Sequence, residues 1–141
     1  SWYHNGGHQT IESFGGPDNW DEKIKTYTDW MKSLPLFSED DLRFFVHAGV
    51  MPNKSPYESN ESVYIWVRDP FLKSNYKWDK LIVHGHTPIG PENKFNRVNL
   101  DSACVFGEKL TAAVFTNERD KPIDFLQVNG LKNREGPYWW K

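Results

Sequence analysis

Two short segments of the chain each run through apolar residues into histidine and then glycine or alanine-glycine: RFFVHAG, Arg43 to Gly49, and LIVHGHTP, Leu81 to Pro88. Imidazole is a good ligand for Zn, Mn or Fe, and a glycine beside it lets the backbone come close and leaves room for an ion. One such histidine is ordinarily a hydrogen-bonded polar residue at a strand end; two in one small chain shift the balance toward a shared metal. In LIVHGHTP the histidines are His84 and His86. On a fully extended strand, residues two apart share a face, so both would reach one ion. If Gly85 and Thr87-Pro88 already turn the chain, only one does. Between the two segments lies YIWVRDPF, whose Arg68 either stacks on an aromatic at the surface or offers a guanidinium fork to a phosphate, a geometry lysine cannot copy.

Elements must position these side chains. FFV before His47 and LIV before His84 are short apolar runs, the second wholly apolar, as expected of a strand covered on both faces. Strands in open sheets present ligands at their carboxyl ends, where crevices form. LPLFSEDDLRFFVHAG reads as a β-hairpin with its second strand over Phe44–Val46. Upstream, Trp20, Ile24, Tyr27, Met31 and Leu34 recur at steps of four and three. That spacing predicts a helix capped by Asp18 or Asn19, with acids in its first turn, and stopped by Pro35. The two Gly-Gly pairs in SWYHNGGHQTIESFGGPDN predict turns and loop before it. MPNKSPYESNES reads as a loop, and VYIWVRDPFLKS as a short helix ending near Pro70. The last third alternates and predicts three strands near 97–102, 109–116 and 123–128, a late antiparallel meander before an aromatic tail over 131–141. The mixture argues for an α/β or α+β fold in a single domain over residues 1–141.

The bulk properties exclude several functions. With 17 basic and 19 acidic residues the net charge is -2, so no global field recruits nucleic acid or an anionic membrane. No stretch approaches the roughly 18 apolar residues of a membrane span. A lone cysteine, Cys104, rules out a disulfide framework and a thiolate zinc cluster, suits a reducing cytoplasm, and does not sit in a nucleophile's setting.

Taken in order, HAGVMP, WVRDPF, GHTPI and NLDSACVFGEKLTA resemble the metallophosphoesterase superfamily, in particular the bacterial and phage branch of the serine/threonine phosphoprotein phosphatases. Symmetrical diadenosine tetraphosphatases are related to that branch. The opening WYHNGGHQT is similar to the branch's Trp-x-x-Asn-Gly-Gly-x-x-Thr segment, so the likeness runs over nearly the whole chain. The resemblance implies that His47 and His86 both bind the second metal of a two-metal centre, Mn above Fe or Zn, and that Arg68 holds the substrate phosphate. Pro88 stands where the broader superfamily has a further histidine ligand, as in the phosphoprotein phosphatase branch. His84 matches no ligand of the family. Asp101 lies where the family shows Asp-Thr-Gly; with Asp-Ser-Ala here, its implied role is at most to support the ligands from behind.

The same resemblance implies a metallophosphoesterase-type β-sandwich flanked by helices, of which this chain is the C-terminal portion. The motifs Asp-x-His, Gly-Asp-x-x-Asp-Arg-Gly and Gly-Asn-His-Glu, which supply the first metal's ligands and the acid histidine, do not occur in the sequence. The expected function is therefore that of a parent metallophosphatase hydrolysing phosphate monoesters by two-metal activation of water. Its favoured substrate is a phosphorylated protein, or otherwise a small phosphoester, with a symmetrical dinucleoside tetraphosphatase as the alternative. The 141 residues alone are expected to be inactive, and a non-catalytic binding or scaffold remnant is the rival of another class.

Overall fold

A computed structural model of the chain describes residues 2–131; the rest of the aromatic tail, 132–141, lies outside the described residues. The chain divides into two compact units, Ser1–Pro35 and Leu36–Lys141.

In the first unit a 3-10 turn at Tyr3–Asn5 leads into α1, Gly7–Ser13, and then α2, Pro17–Ser33. Helix α1 corrects the sequence reading, in which the paired glycines stood for loop. Gly6 takes a left-handed φ of 102° and starts the helix, and Thr10 returns both its N–H and its hydroxyl to the Gly6 carbonyl. Gly7 is buried under the Trp2 indole, where a Cβ would come within 2.6 Å of the ring. Gly15 and Gly16, both at positive φ, break the chain between the helices. Helix α2 begins earlier than its periodicity predicts, because Pro17 fits the first helical position with its preset φ and missing N–H. Gly16, not Asp18 or Asn19, occupies the cap position. Leu34 leaves the helix in extended conformation, as a residue before Pro35 should. Tyr27 packs edge-on to Phe14, yet Tyr27, Trp30, Met31 and Leu34 all stay exposed.

The second unit holds β1 (Phe37–Glu39), β2 (Arg43–Val46), α3 (Glu61–Trp66), β3 (Leu81–His84), β4 (Glu92–Asn93), β5 (Arg97–Asn99), β6 (Lys109–Val114) and β7 (Asp124–Asn129). Five strands form one sheet in the order β1-β2-β3-β5-β4, and β6 pairs with β7 in a separate hairpin. β2, β3 and β5 are mutually parallel, while β1 and β4 run antiparallel on the edges. The β1–β2 turn is closed by the Asp40 carboxylate, which accepts the N–H groups of Leu42 and Arg43 at 2.9 and 2.7 Å. The fold is thus mixed α/β. Of the three late strands expected from alternation, β5 is shorter and belongs to the large sheet, parallel to β3, so the late antiparallel part is the β6–β7 hairpin. The alternating pattern fixed the strands but not their partners.

Side chains alternate across the large sheet and make two cores. Phe44, Val46 and Ile82 face α3 and the loop after it, against Tyr64, Val67, Phe71 and Trp78. Leu81, Val83 and Val98, with Phe45, face the hairpin side and meet Phe115 and Phe125. All four residues of β3 are buried, in keeping with a central strand covered on both faces. Arg43, 3% exposed, ties the sheet to the β6–β7 connection by donating to the carbonyls of Thr116 and Arg119 and lying over the Phe115 ring. Helix α3 starts at Asn60, whose side chain accepts the Val63 N–H at 3.0 Å, and ends at Trp66, earlier than the proximity of Pro70 suggested. Among the described residues no helix is long and apolar enough to cross a membrane.

Candidate metal and phosphate site

Because β2 and β3 are parallel neighbours, their carboxyl ends lie side by side, and the chain leaves them at His47 and at Gly85-His86. Gly85 donates its N–H to the His47 carbonyl at 2.9 Å, fastening one exit to the other. His86 then takes a left-handed backbone with φ 67°, uncommon outside glycine. The next residues are held down by β5 and its exit: Asn99 Nδ2 donates to the Thr87 carbonyl and the Gly90 N–H to the Asp101 carbonyl, both at 2.8 Å. A Cβ on Gly90 would sit 2.8 Å from that same Asp101 oxygen, so glycine is needed for the close approach.

This turn separates the two histidines of LIVHGHTP. His84 remains on the strand, 3% exposed, with its ring edge-on to Phe71 at 4.8 Å and its Nδ1 donating to the Gly85 carbonyl at 3.1 Å. Burial pushes its pKa down to about 4, so it is a neutral core residue at ordinary pH. His86 swings to the site instead. Its Nδ1 lies 3.2 Å from Nε2 of His47, with ring centroids 4.9 Å apart.

Arg68 is half-buried two residues beyond α3, and its charge reaches the same place. Burial first, then the Arg68 guanidinium and His47, hold the His86 imidazole below its ordinary pKa. Asp101 and a hydrogen bond with the Trp66 backbone pull the other way. A lowered pKa favours the neutral imidazole, the form that binds metal. Asp101 sits just behind, its Cβ 3.5 Å from where a Cβ on Gly85 would be, and its Oδ1 accepts the Ala103 N–H at 3.1 Å. His47, His86, Arg68 and Asp101 are therefore brought to one end of the sheet, and His84 is not among them.

Sequence reasoning missed Trp66 as a site residue. Its indole is 68% exposed and stands edge-on to His86, with centroids 5.7 Å apart. The available signal was its place two residues before Arg68.

The donor set suits a metal in part. Two nitrogens bound at 2.0–2.1 Å to one tetrahedral ion lie about 3.3 Å apart, close to the spacing of the His47 and His86 nitrogens. Among the described residues, however, no group of three or more His, Cys, Asp or Glu side chains gathers in a way that could hold an ion.

Comparison with known proteins adds the chemical context. The chain is 36% identical to the asymmetrical bis(5'-nucleosyl)-tetraphosphatase PrpE of Anoxybacillus flavithermus, over 65% of this chain and 46% of that protein. It is 29% identical to the protein of the same name from Halalkalibacterium halodurans, over 76% of this chain and 48% of the relative. A shorter stretch, 28% of this chain, is 44% identical to the Bacillus subtilis protein of that name. Its homologues carry the name of a dinucleoside tetraphosphatase. The chain spans about half the length of the curated relatives it matches. No family model matches the sequence, and no solved structure does.

Proposed function

We propose that this chain is part of a metal-dependent phosphohydrolase acting on a dinucleoside tetraphosphate, with His47 and His86 sharing one metal ion and Arg68 holding a phosphate. The observation that carries this reading is the 3.2 Å approach of His47 Nε2 to His86 Nδ1 at two adjacent strand exits. The names of the relatives support a dinucleoside tetraphosphate over the phosphorylated protein favoured by sequence motifs alone. Those names read asymmetrical, whereas the alternative given by the sequence resemblance was the symmetrical enzyme.

A pair of divalent ions, with Mn favoured, would supply a water acidic enough to ionise near neutral pH and would neutralise phosphate oxygens. The chain's own residues contribute orientation and charge. His47 and His86 place ring nitrogens at a fixed separation of 3.2 Å. The link from Gly85 to His47 and the pinned loop at Thr87 and Gly90 keep that separation from drifting. Arg68 offers paired N–H donors to the non-bridging oxygens of a phosphate, whose charge shifts as the bond to the leaving oxygen breaks. Asp101 holds the turn behind the ligands. A single cysteine suits action in the cytoplasm.

The test is an assay of the full-length protein with Mn²⁺ against diadenosine tetraphosphate and a phosphoserine peptide. Preferential cleavage of the dinucleotide, lost in His47→Ala and His86→Ala, is the expected result. Turnover of the phosphopeptide alone would overturn the substrate assignment, and undiminished activity in both variants would overturn the site.

A further inference from the structure

The most exposed aromatic ring at the site has no packing role that accounts for it. On α3, Tyr64 is 4% exposed and donates its hydroxyl to the Pro56 carbonyl, and the following Val67 is also in the core. Trp66, between them, points the other way. Leaving an indole two-thirds in water forgoes a large apolar contribution to stability. Its ring contact among the described residues is with His86, with centroids 5.7 Å apart and planes at 82°, and most of the indole stays open to solvent next to that ring. Arg68 is two residues on and its charge acts on the His86 imidazole, so indole, imidazole and guanidinium belong to one neighbourhood.

We propose that Trp66 is the specificity residue of this site: its exposed face stacks on the nucleobase of the substrate whose phosphate is held beside His86 and Arg68. This deepens the proposed function and rests on it. An indole stacks on any base, because every base has a π-face, and it offers nothing comparable to a phosphoserine side chain or to inorganic polyphosphate. The ring therefore selects nucleotides as a class over base-free phosphates, with tolerance for which base is present.

The experiment compares kcat/KM of the full-length protein for diadenosine tetraphosphate with that for inorganic tripolyphosphate, which has the anhydrides but no base. Trp66→Leu keeps apolar bulk and removes the stacking face; Trp66→Phe restores a smaller face. Stacking of one base predicts that Trp66→Leu lowers the ratio of the two kcat/KM values about 10-fold, mostly through KM for the dinucleotide, and that Trp66→Phe recovers most of it. The ratio should change little when adenine is replaced by guanine. If wild-type protein cleaves the dinucleotide and Trp66→Leu leaves the ratio unchanged, the stacking role is wrong while the proposed function stands. If both substrates lose equally in Trp66→Leu and in Trp66→Phe, Trp66 is a packing residue. If the wild type ignores the dinucleotide and cleaves a phosphoprotein, the proposed function fails and this inference with it.

Discussion

At the scale of the residue, two histidines one position apart have opposite fates, and burial and backbone decide between them. His84 stays on a central strand with its ring against Phe71. Its pKa of about 4, against an ordinary 6.5, makes a pH prediction with a definite sign. The unfolded chain takes up a proton as pH falls through about 6.5, while the folded chain resists until about 4. Stability contributed by neutral His84 is thus fully present above 6.5 and lost progressively as pH falls toward 4, on the order of 3 kcal/mol. Denaturant unfolding at pH 7.5 and pH 4.5 should show a smaller acid loss in His84→Leu than in the parent; equal losses would mean that His84 is not the group responsible. Arg68 makes the second residue-scale prediction. In the full-length protein Arg68→Lys replaces a fork by a point charge and should lower kcat/KM about 100-fold with the fold intact. Steady-state kinetics on diadenosine tetraphosphate check it, and a wild-type value would place the guanidinium outside the phosphate site.

At the scale of the element, the site depends on how β2 and β3 end. Their parallel pairing puts both exits at one end of the sheet, and the Gly85-to-His47 bond sets their spacing. Gly49, just beyond His47, is in contact with the core under that edge: a Cβ there would lie 2.4 Å from Cδ1 of Phe71, the ring that packs on His84. Gly49→Ala should displace Phe71 and cost about 1–3 kcal/mol of stability, seen as a thermal unfolding midpoint several degrees lower. A midpoint equal to that of the parent would show that the loop after β2 yields without strain. The cost of the same change at Gly16, where nothing lies within 4 Å of an added Cβ, should come from its left-handed φ of 87° and not from a clash.

At the scale of the whole molecule, the described residues offer the facing imidazoles of His47 and His86 and no cluster of three potential ligands. Protein sites that keep a metal have at least three ligands as a rule. General acid catalysis, commonly worth 10²–10⁴-fold, lacks a candidate in the sequence motifs. The chain purified alone is therefore expected to bind Mn²⁺ or Zn²⁺ weakly by titration calorimetry and to show no phosphohydrolase turnover above background. The full-length protein should turn over under the same conditions. Tight binding or substantial turnover by the 141 residues would mean that donors other than His47 and His86 complete a site.

The sequence alone determined those elements whose identity is local. LIVH reads as a buried strand because every side chain in it is apolar until its histidine, α2 shows through its helical spacing, and the β1–β2 hairpin is marked by Ser-Glu-Asp-Asp between two apolar runs. It also singled out His47, His86 and Arg68 by their motifs. Only the tertiary structure decided what depends on contacts distant in the chain. Helix α1 was hidden because glycine has a low intrinsic helix propensity, and the Trp2 ring over Gly7 overrides it. β5 joined β3 and not β6 because alternation encodes burial of a face, not the identity of the neighbouring strand. The motif named His86, but how its ring reaches His47 while His84 stays in the core rests on a left-handed backbone at His86, in a turn held by Asn99 on β5 and Asp101 just after it. Such a conformation is a property of the packed sheet edge, and a single stretch of sequence does not carry it.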